Sequence, residues 1–205
     1  MSSSAAKPYH HGDLRNALLD AAHDLALEGQ VDSFTLREVA RRAGVSPGAP
    51  YHHFADRNDL VRGLAIRAFE TLTETLQAAK ASRKKSLAQL EAIGIAYVRF
   101  AYSHSGEFRF MFKRELCAPP GQPDPLEIAG KRSQAVLLET VKEGQQRGDI
   151  RTGDPQLIAL TLWSAVHGLS GIVLETPTGK TATLESALAM AASVVGDALE
   201  GIKAQ

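Results

Sequence analysis

The sequence predicts an all-α protein of about nine helices, because apolar residues recur at the helical period along most of the chain. Two further observations support this class. Capping residues, glycines and prolines separate the apolar segments at spacings typical of helices. No segment alternates apolar and polar residues as a half-buried strand does, and no internal repeat is present. With 205 residues, the chain is long enough for one domain or two smaller ones.

The first predicted helix runs from Asp13, its N-cap, to about Glu28, and Gly29 ends it. Its apolar face consists of Leu14, Leu18, Ala21, Ala22, Leu25 and Ala26. This face is expected to pack behind the segment that follows.

The stretch from Thr35 to Phe54 begins with a second, short helix. Thr35 is a suitable N-cap, and the apolar stripe consists of Leu36, Val39, Ala40 and Ala43. Gly44 follows where the chain must reverse, because glycine adopts positive φ at no steric cost. A tight reversal after a short helix is typical of a helix-turn-helix.

A third helix is predicted after this reversal. Ser46 is its expected N-cap, and Pro47 suits its first turn, where a missing N–H costs nothing. Tyr51 and Phe54, three residues apart, are expected to anchor it on the core. In a helix-turn-helix the second helix enters the major groove of DNA, and its exposed N-terminal side chains meet base edges. The residues expected to face outward are Ala49, His52 and His53.

This stretch resembles the signature of the TetR family of bacterial transcriptional regulators. The matching pattern is Thr-x-Arg-x-x-Ala-x-x-Ala-Gly-Val-Ser-x-Gly-x-x-Tyr-x-His-Phe, and a basic residue, Arg57, follows it. The resemblance implies a DNA-binding surface made of Thr35, Arg37, Ser46, Pro47, Gly48, Ala49, Tyr51, His52, His53 and Arg57. Within it, the expected base readers are Arg37, Ser46, Gly48, Ala49 and His52. The expected phosphate contacts are Thr35, Tyr51, His53 and Arg57.

One position departs from the family pattern. Pro50 stands where the family more often has an aliphatic residue. A proline there removes the N–H that bonds to the carbonyl of Ser46 and biases Ala49 away from the helical region. An irregular first turn of the recognition helix is therefore expected.

The charge balance predicts a local contact with DNA rather than a broad one. The formal net charge is zero, and residues 1–60 carry six basic and eight acidic side chains. The basic residues nearest the motif are Arg37, Arg41, Arg42 and Arg57. An N-terminal arm with Lys7, His10 and His11 either contacts the DNA backbone or is simply flexible. A helical protein-interaction module without DNA binding remains the alternative interpretation.

A long helix is predicted from the N-cap Asp56 past Leu76, and the polar segment 80–85 is expected to end it. This places a DNA-binding domain at residues 12–72 and a second domain at residues 85–205. Further helices are predicted at 87–103, 126–147, 154–172 and 184–202, with a short aromatic piece at 108–112. The helix at 154–172 is apolar nearly all round and is expected to be buried, and the helix at 184–202 is expected to pack through a face of Leu188, Ala191, Ala192 and Val195. Prolines forbid a helix across 118–125, and residues 176–183 form a loop.

The segment Trp163 to Gly168 resembles the Trp-x-x-x-His-Gly motif of one class of TetR-family C-terminal domain. This implies a helical domain that binds a ligand and forms a homodimer through the last two helices. Aromatic residues concentrate in three segments that are expected to converge. The candidate ligand-binding residues are Tyr97, Phe100, Phe108, Met111, Phe112, Trp163 and His167. Alternatively, these side chains are simply core.

Other chemistry is not indicated. No nucleophile elbow, phosphate loop, zinc spacing or dinucleotide-binding motif is present, so no enzyme activity, cofactor or metal is expected. Cys117 is the only cysteine. No apolar run approaches the roughly eighteen residues that a membrane helix needs, and the start of the chain lacks a signal core, so a cytoplasmic protein without membrane partners is expected. The predicted function is a repressor that binds palindromic operator DNA and is released by a small, mostly apolar effector.

Overall fold

The structure, a computed structural model, describes residues 14–29, 33–119, 121–122, 124–176 and 181–204. These ranges contain eight α-helices and two short 3-10 helices, close to the number expected, and the all-α class is confirmed. The α-helices are α1 (Leu14–Leu27), α2 (Leu36–Arg42), α3 (Arg57–Ala81), α4 (Ser86–Ser103), α5 (Ser105–Met111), α6 (Pro125–Arg147), α7 (Pro155–Glu175) and α8 (Leu184–Glu200). Lys7, His10, His11 and the predicted cap Asp13 lie outside the described residues.

Local sequence signals set the helix ends as predicted. Thr35 caps α2 in a capping box, in which its hydroxyl accepts from the Glu38 N–H at 3.2 Å and the Glu38 carboxylate accepts from the Thr35 N–H at 2.7 Å. Asp56 caps α3, and Asp154 caps α7 with a proline next to it. Gly44 has φ +69°, the left-handed conformation that the reversal requires.

The predicted recognition helix is a 3-10 helix, Ala49–His52, in the recognition segment (residues 46–53). Its N-cap is Gly48, so the prediction of Ser46 as N-cap is wrong. Pro50 is buried and supplies no N–H. Hydrogen bonds between residues three apart therefore form the turn, which is the 3-10 pattern. The departure of Pro50 from the family pattern predicted this irregular turn. Tyr51 is 55% exposed and is not an anchor, whereas Pro50 and Phe54 are buried.

The N-terminal bundle comprises α1, α2, the recognition segment and the first turns of α3. Its largest fully buried side chains are Phe34, Phe54, Leu18, Leu19, Leu60 and Leu64. Helix α3 is 25 residues long in all, about 37 Å at about 1.5 Å per residue, and extends well beyond this bundle. Its second half packs against α4, α5 and α6, so a single helix belongs to the core at both ends.

In the C-terminal part, α4 is the central helix and packs against α3, α6, α7 and α8. Gly94 allows α8 to approach, because a Cβ there would lie 2.6 Å from Cγ2 of Val195. Helices α7 and α8 each present a second face that α4 does not cover. On α7 this face carries Leu157, Leu160 and Ile172, so the prediction that α7 is buried nearly all round holds only for its inner face.

Two sequence predictions about these last helices need correction. The inner face of α8 includes Ala191, which is fully buried within the subunit, whereas Ala192 points outward and does not belong to the same face. The statement that no apolar run could span a membrane is wrong for α7, which within the described residues meets the length and composition test. The core helix of a soluble protein meets the same test, so composition alone does not place α7 in a membrane.

Candidate nucleic-acid interface and ligand cavity

The outer surface of the recognition segment and the start of α2 together form one exposed surface. The predicted DNA-binding residues that are exposed there are Thr35, Arg37, Ser46, Pro47, Gly48, Tyr51 and His52. Ala49, His53 and Arg57 are half-buried at its margin. All ten predicted residues therefore lie in one region, and none is enclosed in the core.

This surface is held from behind by the turn that joins α2 to the recognition segment. The Val45 N–H donates to the Ala40 carbonyl at 3.0 Å, and the Phe54 N–H donates to the Pro50 carbonyl at 2.9 Å. Phe54 lies in the core beneath the recognition segment. The 3-10 helix is consequently short but fixed at both ends.

Arg57 has a role in the fold that the sequence did not show. Its Nε donates to the Phe34 carbonyl at 2.9 Å, and its guanidinium carbon lies 4.8 Å from the centroid of the Phe34 ring. The side chain thus fastens the start of α3 to the residues before α2 by a charge-assisted hydrogen bond and a cation–π contact.

Some of the charged side chains around the interface already have partners within the protein. Both Arg42 contacts to the Glu28 carboxylate measure 2.8 Å, so this pair ties α2 to α1. The backbone and side-chain hydrogen bonds of Thr35 lower the pKa of Glu38 and keep it ionised at the start of α2. Arg37 and Arg41 are exposed on the same helix, which places their charges where a nucleic-acid backbone can approach.

A cavity of about 530 Å³ lies in the C-terminal part between α3, α4, α6, α7 and α8. Its inner walls are apolar and include Phe69, Leu72, Leu76, Leu90 and Ile93. Exposed side chains border it between α6 and α7, namely Lys131, Gln134, Gln156 and Leu160. No carboxylate lines it among the residues that the structure describes. The volume and the apolar walls are typical of a small-molecule site.

The predicted ligand residues do converge, but only some of them reach the cavity. Tyr97, Phe112 and Trp163 line it, whereas Phe100, Phe108, Met111 and His167 do not. His167 lies behind the wall, with its ring centroid 4.8 Å from that of Trp163 and 4.7 Å from that of Phe112. Phe100 stacks on His104, at 4.4 Å between centroids. These rings pack behind the side chains that line the cavity.

One hydrogen bond joins two of the predicted ligand-binding residues. The Tyr97 Oη lies 2.9 Å from Nδ1 of His167. Burial raises the pKa of Tyr97, and burial also lowers the pKa of His167 although Glu175 opposes this. The hydroxyl and the imidazole are therefore both neutral at neutral pH, and this side of the cavity carries no charge.

Sequence reasoning missed the walls contributed by α3 and α6. Phe69, Leu72 and Leu76 of α3 and Leu137 and Leu138 of α6 line the cavity. Their spacing along the chain is the ordinary spacing of core residues, so the pattern predicted their burial but not the empty space beside them. No sequence signal distinguishes these two outcomes.

Helix α5 connects the cavity with the N-terminal bundle. Phe112, directly after α5, lines the cavity, and Glu107 within α5 lies 2.5 Å from Nδ1 of His23 in α1. Gly106 packs on α1 so closely that a Cβ there would lie 3.0 Å from the Ala26 carbonyl oxygen. Helix α5 thus packs on α1 of the N-terminal bundle, and the residue directly after it lines the cavity.

Comparison with known proteins gives matches to both parts of the chain. The family model described as bacterial regulatory proteins, tetR family, matches residues 18–64. A second model, described as the tetracyclin repressor-like C-terminal domain, matches residues 90–196, about half of the chain. The first match contains the helix-turn-helix, and the second contains most of the helices that line the cavity.

Individual relatives agree with these matches. The HTH-type transcriptional repressor BepR from Brucella suis is 32% identical over 144 residues, which cover 67% of this chain and 69% of BepR. A solved structure of a protein of unknown function from Rhodococcus sp. RHA1 is 32% identical, with a TM-score of 0.79 over 97% of this chain and all of the other. The regulator FadR from Bacillus subtilis, solved in complex with stearoyl-CoA, shares the fold at 18% identity, with a TM-score of 0.71 over 91% of this chain and 98% of FadR.

Proposed function

Since the chain belongs to the TetR family of bacterial regulatory proteins, we propose that it is a homodimeric repressor that leaves a palindromic operator when an apolar small molecule binds. The chain is a DNA-binding transcriptional regulator, and the family is not enzymatic. Regulators of this family are typically cytoplasmic, and we assign the same location to this one. A domain boundary within α3, after about residue 72, fits the two family matches.

The observation that carries the release mechanism is the position of α3. Leu60 and Leu64 of this helix are buried in the core at the N-terminal bundle, and Phe69, Leu72 and Leu76 line the cavity one to three turns further on. A ligand between α3 and the other cavity helices must displace these side chains or select an arrangement that already accommodates it. Because a helix moves largely as a unit, the recognition segments of a dimer then change their separation, which must match one turn of DNA.

The lining of the cavity restricts the ligand class. Apolar walls favour an apolar body, and the described residues that line the cavity include no carboxylate to pair with a cation. The amides of Gln134 and Gln156 and the ammonium of Lys131 border the cavity and suit a neutral or anionic polar group. Lys131 also pairs with Glu127 at 2.5 Å, so a bound anion competes with that carboxylate. Stearoyl-CoA in the complex of FadR supports testing acyl compounds first.

The first experiment tests DNA binding. Purified full-length protein is mixed with a pool of random DNA, and the retained fragments are sequenced over several rounds. Recovery of a palindrome with half-sites about one helical turn apart supports a dimeric regulator. A pool that remains random after selection contradicts the proposed function and favours a module that interacts with protein alone.

The second experiment tests the ligand. Straight-chain fatty acids of increasing length and the anionic dye 1-anilinonaphthalene-8-sulfonate are titrated while the fluorescence of Trp163, the only tryptophan, is followed. The titrations are repeated with the selected operator present, and decyltrimethylammonium serves as a cationic control. Affinities that are equal with and without operator contradict release by these ligands, because a ligand shifts an equilibrium only through its differential affinity.

A further inference from the structure

The recognition segment lacks the side chains that usually identify bases. Residues 46–53 contain no Arg, Lys, Asn, Gln, Asp or Glu. Bidentate readout of guanine requires Arg or Lys, and bidentate readout of adenine requires Asn or Gln. The segment therefore cannot make either contact, and any sequence preference from it must come from another feature of the major groove.

The surface of the segment is apolar around Gly48. Pro47 and Gly48 are exposed in the turn that is closed by the hydrogen bond from the Ala49 N–H to the Ser46 carbonyl, at 3.0 Å. A Cβ built on Gly48 has no neighbour within 4 Å, so this turn is open on its outer side. The Pro47 ring and the Ala49 methyl group flank this glycine, where the backbone itself can approach a groove closely.

Thymine is the base that presents an apolar group, its C5 methyl, in the major groove. We propose that Pro47 and Ala49 recognise thymine methyl groups, so that the half-site is specified mainly by thymine positions. Ser46, Tyr51 and His52 supply single hydrogen bonds around this contact, and Arg37 at the start of α2 is the nearby side chain able to read a guanine bidentately. This assignment rests on the proposed function, since it names how the same DNA interface reads its operator.

Replacement of single thymines by deoxyuridine tests this directly, because it removes the methyl group and leaves every hydrogen-bonding group in place. Each thymine of the selected operator is replaced in turn, and affinity is measured at fixed salt. At one or two positions in each half-site, loss of the methyl group lowers affinity about fourfold, the effect of exposing one buried methyl group. A variant operator with cytosine at the same positions also lacks the C5 methyl group and binds more weakly. Replacing that cytosine by 5-methylcytosine restores part of the lost affinity.

Two variants assign the methyl contacts to residues. Ala49→Gly and Pro47→Ala each remove apolar atoms, so each lowers affinity for the thymine operator and abolishes the response to deoxyuridine at one position. Arg37→Ala is the matched control, because it weakens binding but leaves the deoxyuridine response at its original size. Circular dichroism of each variant establishes that the helices are intact.

The outcomes separate this proposal from the proposed function. A selected palindrome whose affinity does not change with deoxyuridine at any position overturns methyl recognition and leaves the regulator assignment standing. A deoxyuridine response that persists unchanged in both variants overturns the assignment to Pro47 and Ala49. Failure to select any sequence overturns both proposals together.

Discussion

At the scale of the residue, the pair Tyr97 and His167 shows how burial sets protonation beside the cavity. Tyr97 is almost fully buried, and its hydroxyl lies 2.9 Å from Nδ1 of His167. Burial lowers the pKa of His167, so its imidazole is neutral at neutral pH, and one of the two groups donates this hydrogen bond to the other.

This protonation state makes stability depend on pH. The pKa of His167 is below its ordinary value of 6.5 in the folded protein, so the unfolded chain binds more protons in mildly acid solution. The stability that neutral His167 contributes is complete above that ordinary value and is lost as pH falls through the folded pKa. We expect His167→Asn, whose side-chain oxygen can still accept from Tyr97, to lose less stability than wild type between about pH 7 and about pH 5.

Urea unfolding followed by circular dichroism at both pH values measures this difference. His52→Asn is the control, because His52 is exposed in the recognition segment and makes no contact with the cavity cluster. Equal losses of stability in wild type and His167→Asn would show that His167 does not couple to folding in this pH range.

Substitutions of Arg57 separate its role in the fold from its predicted contact with DNA phosphates. Arg57→Ala removes the bond to the Phe34 carbonyl and the contact with the Phe34 ring, and we expect a loss of about 1–3 kcal/mol in the free energy of unfolding. It also weakens binding to all DNA sequences alike. Arg57→Lys keeps the charge but not the planar fork, so stability stays low while the salt dependence of DNA binding returns. A stable Arg57→Ala protein with normal affinity for DNA contradicts both roles.

At the scale of the element, α5 is the shortest α-helix that touches both parts of the molecule. We expect Glu107→Gln to weaken the contact with His23 and to lower the coupling between ligand and operator by about 0.5–2 kcal/mol. Ligand affinity without DNA stays unchanged, because Glu107 does not line the cavity. Operator affinity is measured with and without the fatty acid that binds best.

Glu28→Gln is the matched control for this change. Glu28 also forms an ion pair, with Arg42, but both partners lie within the N-terminal bundle. Its substitution is expected to leave the coupling at the wild-type value. If Glu107→Gln and Glu28→Gln have the same effect, α5 is not the connection and α3 alone transmits the change.

The close approach of α4 and α8 gives another prediction at this scale. A Cβ at Gly94 lies 2.6 Å from Cγ2 of Val195, so Gly94→Ala overpacks the contact and costs about 1–3 kcal/mol. Val195→Ala alone costs about 2 kcal/mol by leaving a cavity. The double variant should lose clearly less than the sum, because the new methyl group occupies space that Val195 vacates. Additive losses in urea unfolding contradict this packing.

The same scale shows what the sequence could and could not predict. Helix ends follow from local chemistry, and Thr35, Gly44, Asp56 and Asp154 occupy the positions that their side chains or backbone freedom favour. Periodicity was misleading at Tyr51, because the 3-10 helix ends at His52 and Phe54 lies beyond it, so the three-residue spacing does not place the two side chains on one face. Periodicity also placed Ala192 with Ala191, although adjacent residues on a helix lie about 100° apart.

The cavity could not be predicted in the same way. The sequence identified Tyr97, Phe112 and Trp163 because aromatic residues are conspicuous, and these three line the cavity. Helices enclose empty space only where their axes are held far enough apart, and contacts remote from the cavity set that distance. The ion pair between Lys80 of α3 and Glu143 of α6 is one such contact. No local pattern contains that distance.

At the scale of the whole molecule, an apolar surface on α7 and α8 is left uncovered by the described part of the chain. The uncovered face of α7 and α8 carries Leu157, Leu160, Ile172 and Met190, which are between 39% and 61% exposed. Small residues on α8 stand beside them, namely Ala189, Ala192 and Ser193. An apolar patch on two adjacent helices is typical of a protein interface, and two copies related by a twofold axis form a four-helix bundle.

We therefore expect Ala192→Arg and Ile172→Arg to prevent dimer formation, because each places a charge in an apolar interface without a partner. Ala192 is preferable to its neighbour Ala191, whose substitution would disrupt the core of the subunit and could not be interpreted. Ile128→Arg is the matched control, since Ile128 is 49% exposed but lies on α6, outside this face. Sedimentation velocity measures the mass, and circular dichroism confirms that each subunit remains folded.

The dimer also decides how the molecule binds DNA. A monomer presents one recognition segment, so both interface variants should lose affinity for the full palindrome and bind a half-site and the palindrome with nearly equal strength. Two linked half-sites bind more tightly than one because the second contact becomes intramolecular. If Ala192→Arg and Ile172→Arg remain dimeric and keep the preference for the palindrome, the interface lies on another surface, and the apolar face of α7 and α8 must serve a different partner.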